Sequence, residues 1–375
     1  MDHSNSTNPS TNTSDLGSVF TNDVLPPLYF VICFVGLLLN GLAAFIFVTV
    51  PSDSGLVVYL KNMLVADLLM LITFPFRLAA QLGLGGWRIH VITCRYTAVL
   101  FYSSMYAGIL FMGFISLERY VKVVRHSSCR YRCGRASLPH LLQSAGFARV
   151  LAFVTWSLLL LSVLPNVLLT SLPANETNAR KCMKLKTPLG MQWHLVSANF
   201  CIGLFWLTLL VLAFCYTSIA CHVYQSYRRV SCNSSNTNST ARHKSHRSIF
   251  SLLVVFFICF VPYHVCRVPY TLSQMPDSGF SHRSRFWLFQ LKEGLLFLSA
   301  LNVCLDPVIY VLMCQTFRES LLRKLTGRER RRSLTTSQSL SRVYLGEQET
   351  RSADMDGRHG GEETHEDKIP FRNMT

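Results

Sequence analysis

Several basic side chains of this chain sit where an apolar stretch should exclude them, and their spacing suggests a shared task. His264 and Arg267 stand three apart in an otherwise apolar run, so a helix would turn both toward one cavity. Lys292-Glu293 lies near the start of another such run. Lys186 lies just ahead of a third, in a segment that also carries Arg180, Lys181 and Lys184. Guanidinium groups bind phosphate through paired N–H donors, and ammonium groups bind it as point charges. The set therefore reads as a grip for a phosphorylated or otherwise anionic small molecule. Tyr102 and Tyr106, four apart, would add an aromatic wall for a base or an apolar chain. The plainer alternatives are helix packing for the tyrosines and snorkelling to lipid headgroups for Arg267. No Ser/His/Asp or metal-ligand constellation accompanies the cluster, so catalysis is not expected and no cofactor is implied. Cys129 and Cys133, with His126 and His140, make only a weak zinc pattern.

A second group is polar and deeper. Asn40, Asp67, Arg119 and Asp306 each fall inside an apolar run, where an ionisable group is costly unless it faces a protein interior and finds a partner. Asn40, Asp67 and Asp306 could meet and hold water or a cation; a purely structural polar cluster is the alternative. Asp306-Pro307 would interrupt the helical hydrogen-bond ladder, leaving Tyr310 one turn further on. Glu118-Arg119-Tyr120 closes its run with an adjacent acid and base. An ion pair there could hold that end of a bundle shut, as a two-state switch requires.

The elements that must position these groups are seven apolar runs: Leu25 to Val50, Leu56 to Leu82, Cys94 to Val124, Phe147 to Leu172, Trp193 to Tyr227, Ser248 to Leu272 and Phe286 to Cys314. About 20 apolar residues cross a bilayer core, and helices satisfy their own backbone there. Phe205 to Phe214 is apolar nearly all round, unlike the single stripe of a soluble helix. The expected fold is therefore all-α, a seven-transmembrane helix bundle. The expected parts are an extracellular tail (1–24), the bundle (25–314), a short amphipathic eighth helix (315–332) and a disordered cytoplasmic tail (333–375).

Orientation follows from charge. The first 26 residues hold no Lys or Arg, whereas Arg125, Arg130, Arg132, Arg135 and Arg149 follow the third run, and Arg318, Arg323, Lys324, Arg328, Arg330, Arg331 and Arg332 follow the seventh. Basic residues stay on the cytoplasmic side, which places the N-terminus outside and the C-terminus inside. Asn5, Asn12 and Asn175 begin outer sequons suited to glycosylation. No cleavable signal peptide is expected, since the first apolar run is long enough to stay as an anchor. The net charge of +16 is concentrated beside the membrane, which fits insertion bias and anionic lipid better than nucleic acid. Of 13 cysteines, Cys94 and Cys182 are the two well placed to pair in an oxidising compartment. Cys314 could be acylated at the inner surface.

Taken together, Gly36 to Asn40, Leu64 to Asp67, Cys94 with Cys182, Glu118-Arg119-Tyr120, Trp156, Phe257 to Pro262 and Asp306 to Tyr310 resemble the landmarks of rhodopsin-like G-protein-coupled receptors. Phe260 stands in place of that family's usual tryptophan and Asp306 in place of its usual asparagine, as in the purinergic nucleotide-receptor branch. The resemblance implies that Glu118, Arg119, Tyr120, Phe260, Pro262, Asp306, Pro307 and Tyr310 form the activation switch. It also makes Asp67 and Asp306 a candidate sodium site, although Gly108 occupies the position of a serine that often helps bind the ion.

Phe101-Tyr102, Met105-Tyr106, Leu185-Lys186, Trp193-His194, Pro262 to Tyr270 and Lys292-Glu293 are similar to the pocket motifs of the subgroup that answers ADP and UDP-sugars. That likeness implies Lys186, His264, Arg267 and Lys292 on the anionic part of a ligand, with Tyr102, Tyr106 and Tyr270 along the wall. Neither the N-terminal tail nor the third outer loop has the cysteine that usually joins them. A related member linked to lysophospholipid lacks that pair too, so a lysophospholipid is the second candidate ligand. The implied setting is the plasma membrane. The implied partners are an extracellular anionic agonist, a heterotrimeric G protein of the inhibitory class, and arrestin and a receptor kinase at the Ser/Thr-rich tail from Ser333 to Ser341, with membrane lipids around the bundle. A transporter is the rival from another class, and it predicts internal repeats that the chain lacks.

Overall fold

The computed structural model describes residues 18–51, 53–125, 142–179, 182–230, 250–274 and 279–325. One compact unit runs to Arg318 and a second begins at Glu319. Among the described residues the architecture is all-helical, apart from an isolated bridge between Ser54 and Ser144. Seven helices are long and apolar enough to cross a membrane: α1 (Phe20–Phe47), α2 (Gly55–Gln81), α3 (Gly86–Val123), α4 (Ala145–Leu168), α5 (Pro188–His222), α6 (Phe250–Ser273) and α7 (His282–Met313). A shorter helix, α8 (Gln315–Leu325), follows.

Each long helix coincides with an apolar run, but several start earlier than the runs do. α3 begins at Gly86 rather than near Cys94, because Trp87-Arg88-Ile89-His90 is helical without being uniformly apolar. Gly85, at φ 76°, makes the turn into it, a conformation that costs glycine little. α7 begins at His282 rather than Phe286, since Ser281 caps it by accepting the Ser284 N–H at 3.1 Å. α5 begins at Pro188 rather than Trp193, and proline suits a first helical turn. Hydropathy marks where the membrane is, while caps and turns mark where a helix starts. α8 ends at Leu325; the rest of the expected 315–332 segment, the tail beyond it, the loop with Cys129 and Cys133, and Asn5 and Asn12 lie outside the described residues.

Contacts between helices rely on small residues. A Cβ at Gly36 of α1 would come within 2.7 Å of Leu71 Cδ2 on α2 and 3.1 Å of Val303 on α7. A Cβ at Gly113 of α3 would stand 2.9 Å from Thr208 Cγ2 on α5. Trp156 of α4 donates its Nε1–H to Asn62 Oδ1 on α2 at 3.0 Å and packs on Phe111 of α3. The outward faces carry Phe45, Phe153, Leu161 and Leu210, all well exposed in the protein alone. Those faces suit a hydrocarbon surround.

Two helices are interrupted. Phe260 breaks α6 just ahead of Pro262, and Leu301 breaks α7 ahead of Pro307. Proline has no N–H to give the carbonyl four residues back. For Pro307 that carbonyl belongs to Val303, and Asn40 of α1 supplies the missing donor through Nδ2 at 2.7 Å. Across the α6 break, Ser299 Oγ of α7 donates to the Cys259 carbonyl at 2.7 Å.

The packing at Gly36 generates a test. Gly36→Val is expected to destabilise the purified protein by about 1–3 kcal/mol through overpacking against Leu71 and Val303. Gly41→Val, where nothing lies within 4 Å of the added Cβ, should leave the thermal midpoint nearly unchanged. Equal losses at both positions in a thermal melt would show that the close contact is not what Gly36 serves.

Candidate functional site

The disulfide between Cys94 and Cys182 joins α3 to the segment ahead of α5 and defines one end of the bundle. The cations of interest gather toward this end. Arg267 of α6 donates through Nη1 to the hydroxyls of Tyr263 at 2.7 Å and Tyr102 at 3.3 Å, and its guanidinium carbon lies 5.1 Å from the Tyr102 ring centroid. Lys292 of α7 pairs with Glu293, and its Nζ is 4.9 Å from the ring centroids of both Tyr270 and Phe289. Glu293 pairs in turn with Arg77 of α2, whose guanidinium stands 4.6 Å from the Tyr29 centroid. One carboxylate thus bridges two cations on two helices.

Lys186 is held differently. It is buried, and its Nζ donates to Thr170 Oγ1 at 3.2 Å and Asn166 Oδ1 at 3.4 Å, both neutral oxygens. Burial holds its ammonium below the usual lysine range. Among the described residues no carboxylate lies within ion-pair distance of Lys186 or Arg267. Of the cations Arg77, Lys292, Arg267 and Lys186, the first two therefore share one carboxylate, which leaves that trio one positive charge in excess, and the last two have none among the described residues.

His264 is fully buried, and both of its nitrogens are engaged. Nδ1 lies 2.8 Å from the Phe260 carbonyl, so it carries the proton. Nε2 then accepts from Tyr106 Oη at 3.1 Å, and the ring stacks on Phe205 at 3.8 Å between centroids. His264 and Tyr106 thus sit as a bonded pair beneath Arg267, while Tyr102, Tyr263, Arg267, Tyr270 and Lys292 form the layer above.

Deeper still, the expected polar seam assembles from α1, α2 and α7. Asp67 Oδ2 accepts from Tyr310 Oη at 2.7 Å, and Asp306 Oδ2 accepts from Asn302 Nδ2 at 3.4 Å. Both carboxyls are buried, and like charges buried close together in one seam favour a shared proton or a bound cation. Asp306 Oδ1, Asn302 Oδ1 and Asn40 Oδ1 are buried with no partner among the described residues. An oxygen-rich set of this kind, with two carboxyls, fits a hard cation such as sodium. A Cβ at Gly108 would stand 3.8 Å from Asn302 Nδ2, so this position adds no oxygen to the set.

At the opposite end, Glu118 Oε2 lies 3.6 Å from Arg119 Nε. Arg119 Nη2 reaches further, to the Met313 carbonyl at 2.5 Å. Met313 is the last residue of α7, and the final carbonyls of a helix have no partner within it. Arg119 therefore caps α7 from α3. Tyr120 packs on Phe214 of α5, and Phe260 is fully buried beside Phe256. Cys314, the expected acylation position, is buried; its Sγ accepts from the Phe317 N–H at 3.4 Å, and burial pushes the thiol up. Acylation would require that sulfur to leave this contact. Asn175 is exposed, its Oδ1 accepting from Thr177 Oγ1 at 2.7 Å.

Sequence reasoning missed Arg77, Tyr263 and the Arg119–Met313 contact. Arg77 was visible in principle, since an arginine within an apolar run is a warning of function. The Met313 carbonyl was not, because any residue type could supply it.

Residues 40–310 match the model of the "7 transmembrane receptor (rhodopsin family)". The chain belongs to that family of G-protein-coupled receptors, which answer an extracellular ligand and act on a heterotrimeric G protein, and it is a receptor rather than an enzyme or transporter. Within the family it is related to the purinergic nucleotide receptors, the purinoceptors. It is 42% identical to purinoceptor 14 of Bos taurus over 308 residues, which is 82% of this chain and 87% of that protein. Identity to G-protein coupled receptor 87 of Mus musculus is 39% over 329 residues, 88% of this chain and 87% of the relative. Purinoceptor 13 of Homo sapiens matches at 36% over 298 residues, 80% of each.

The division of the cations predicts unequal effects on stability. Glu293→Ala leaves Arg77 and Lys292 buried without their carboxylate and should cost about 3–5 kcal/mol. Arg267→Met removes a charge that lacks a carboxylate partner and should shift the ligand-free thermal midpoint little. A large loss for Arg267→Met in detergent-purified protein would overturn this division.

Proposed function

We propose that the chain is a cell-surface receptor for a phosphate-bearing ligand, a nucleotide such as ADP or a UDP-sugar, and that it signals through a G protein of the inhibitory class. The observation that carries this reading is the pair of cations, Arg267 and Lys186, whose partners are neutral oxygens, whereas Arg77 and Lys292 nearby share the Glu293 carboxylate between them. A phosphate would supply the missing charge, with Lys292 at the margin and Tyr102 and Tyr270 along the base. His264 and Tyr106 form the floor, coupling the ligand to Phe260 through the His264–carbonyl bond.

The N-terminus faces outward at the plasma membrane and the C-terminus inward, as the basic segments after the third and seventh helices require. Ligand binding draws α6 and α7 together at the disulfide end, using their breaks at Phe260 and Leu301 as hinges. At the other end the Arg119 cap on Met313 opens, freeing Arg119 for the G protein. The ligand achieves this only by binding the open arrangement more tightly than the closed one. Sodium at Asp67 and Asp306 opposes the change by holding α2 to α7. Glycans at Asn5, Asn12 and Asn175, and kinase and arrestin contacts at the tail, complete the proposed outfit of the receptor.

The test is guanine-nucleotide exchange on inhibitory G protein in membranes carrying the receptor, with ADP, UDP-glucose and lysophosphatidic acid as agonists. Arg267→Ala and Lys186→Ala should each lower nucleotide potency by about 10–100-fold, the worth of one charge-assisted hydrogen bond. Lys292→Ala should lower it less. Response to lysophosphatidic acid alone assigns the second ligand class. Unchanged potency of a phosphate agonist in both Arg267→Ala and Lys186→Ala overturns the anion site.

A further inference from the structure

One face of α7 remains outside the receptor mechanism. Trp287, Gln290, Leu291, Gly294 and Leu295 follow one another at i, i+3, i+4, i+7 and i+8, a single helical stripe. With Phe20 of α1 they line a groove of about 320 Å³ whose surface is almost wholly apolar. Gly294 makes the groove possible, since a Cβ there would come within 3.2 Å of the Phe20 ring and a larger side chain would fill it. Trp287 and Leu291 are 60% and 53% exposed, so the groove opens outward, away from the layer of cations. Four residues before Trp287 the same stripe carries Arg283, which is exposed.

The order along the stripe is cation, tryptophan, then aliphatic groove. From Arg283 to Leu295 the helix rises roughly 18 Å at 1.5 Å per residue, more than half of an apolar core about 30 Å thick. Tryptophan belongs at the boundary between headgroups and hydrocarbon, and Arg pairs with phosphate. A groove of this volume holds roughly ten groups of about 30 Å³, the share of one water molecule and near that of a methylene.

We propose that this face is a binding site for one phospholipid of the leaflet at the disulfide end, its phosphate on Arg283 and one acyl chain in the groove between Phe20 and α7. Gly294 adjoins Glu293, the carboxylate that holds Arg77 and Lys292, so the lipid contacts the helix segment that carries the cation layer. The site is separate from the proposed ligand pocket and stands whether or not a nucleotide is the agonist.

The probe is a phosphatidylcholine with a diazirine in one acyl chain, doped into nanodiscs that hold the full chain. After irradiation, the labelled positions are mapped by peptide mass spectrometry. Labelling at Trp287, Leu291 and Leu295 is expected to exceed several-fold that at Leu161, an equally lipid-facing position of α4. Gly294→Leu should abolish the excess and leave Leu161 labelling unchanged. Arg283→Glu, a surface change that spares the fold, should reduce labelling by the phospholipid but not by a matched diacylglycerol probe, which lacks the phosphate. Equal labelling of α7 and α4, or an excess that survives Arg283→Glu, overturns the proposal. So does preferential labelling by a sterol diazirine, which would assign the groove to a sterol instead.

Discussion

Pro307 leaves the buried Val303 carbonyl without a helical donor, and Asn40 of α1 fills the gap at 2.7 Å. An unsatisfied polar group in an apolar surround costs several kcal/mol. That penalty makes the contact a constraint on three helices at once. It brings Gly36 against Leu71 and Val303 and sets α1 beside both α2 and α7. The bonds among Asp67, Asp306, Asn302 and Tyr310 then follow in the same layer. Much of the rest of the bundle is ordinary apolar packing around this polar axis.

The same rule governs the two ends. At the disulfide end, Glu293 pairs with both Arg77 and Lys292, so one carboxylate ties two cations into the folded structure. Arg267 and Lys186 are held by tyrosine, threonine and asparagine oxygens, which orient a charge without cancelling it. At the other end, Arg119 finds its closest partner in the last carbonyl of α7 rather than in Glu118, at 2.5 Å against 3.6 Å. Both ends therefore act on α7. Between them lie the Leu301 break and Pro307, where the hydrogen-bond ladder of the helix is interrupted.

The class of fold was legible because seven runs of apolar residues have one solution in a bilayer, and the polar residues within them had to face inward. The seam of Asn40, Asp67 and Asp306 was expected on that ground; the structure ties Asn40 to the Val303 carbonyl and Asp67 to Tyr310, both on α7, the helix that carries Asp306. Glu118 and Arg119 were expected to pair with each other, and they do so at 3.6 Å, but the tighter bond to Met313 was invisible because a backbone carbonyl carries no sequence signal. Among the mouth residues, spacing along one helix placed His264 and Arg267 on a common face. It could not say that His264 would spend both nitrogens on Phe260 and Tyr106.

Sequence alone determined what must be buried, since the transfer cost of each side chain depends on its own chemistry and the helical period decides which neighbours share its face. Tertiary structure alone decided which charges remain uncompensated. Glu293 lies beside Lys292 in the chain, yet its second partner, Arg77, comes from a helix more than two hundred residues away. Only folding brings that guanidinium to the carboxylate, and it leaves Arg267 and Lys186 without a carboxylate partner among the described residues.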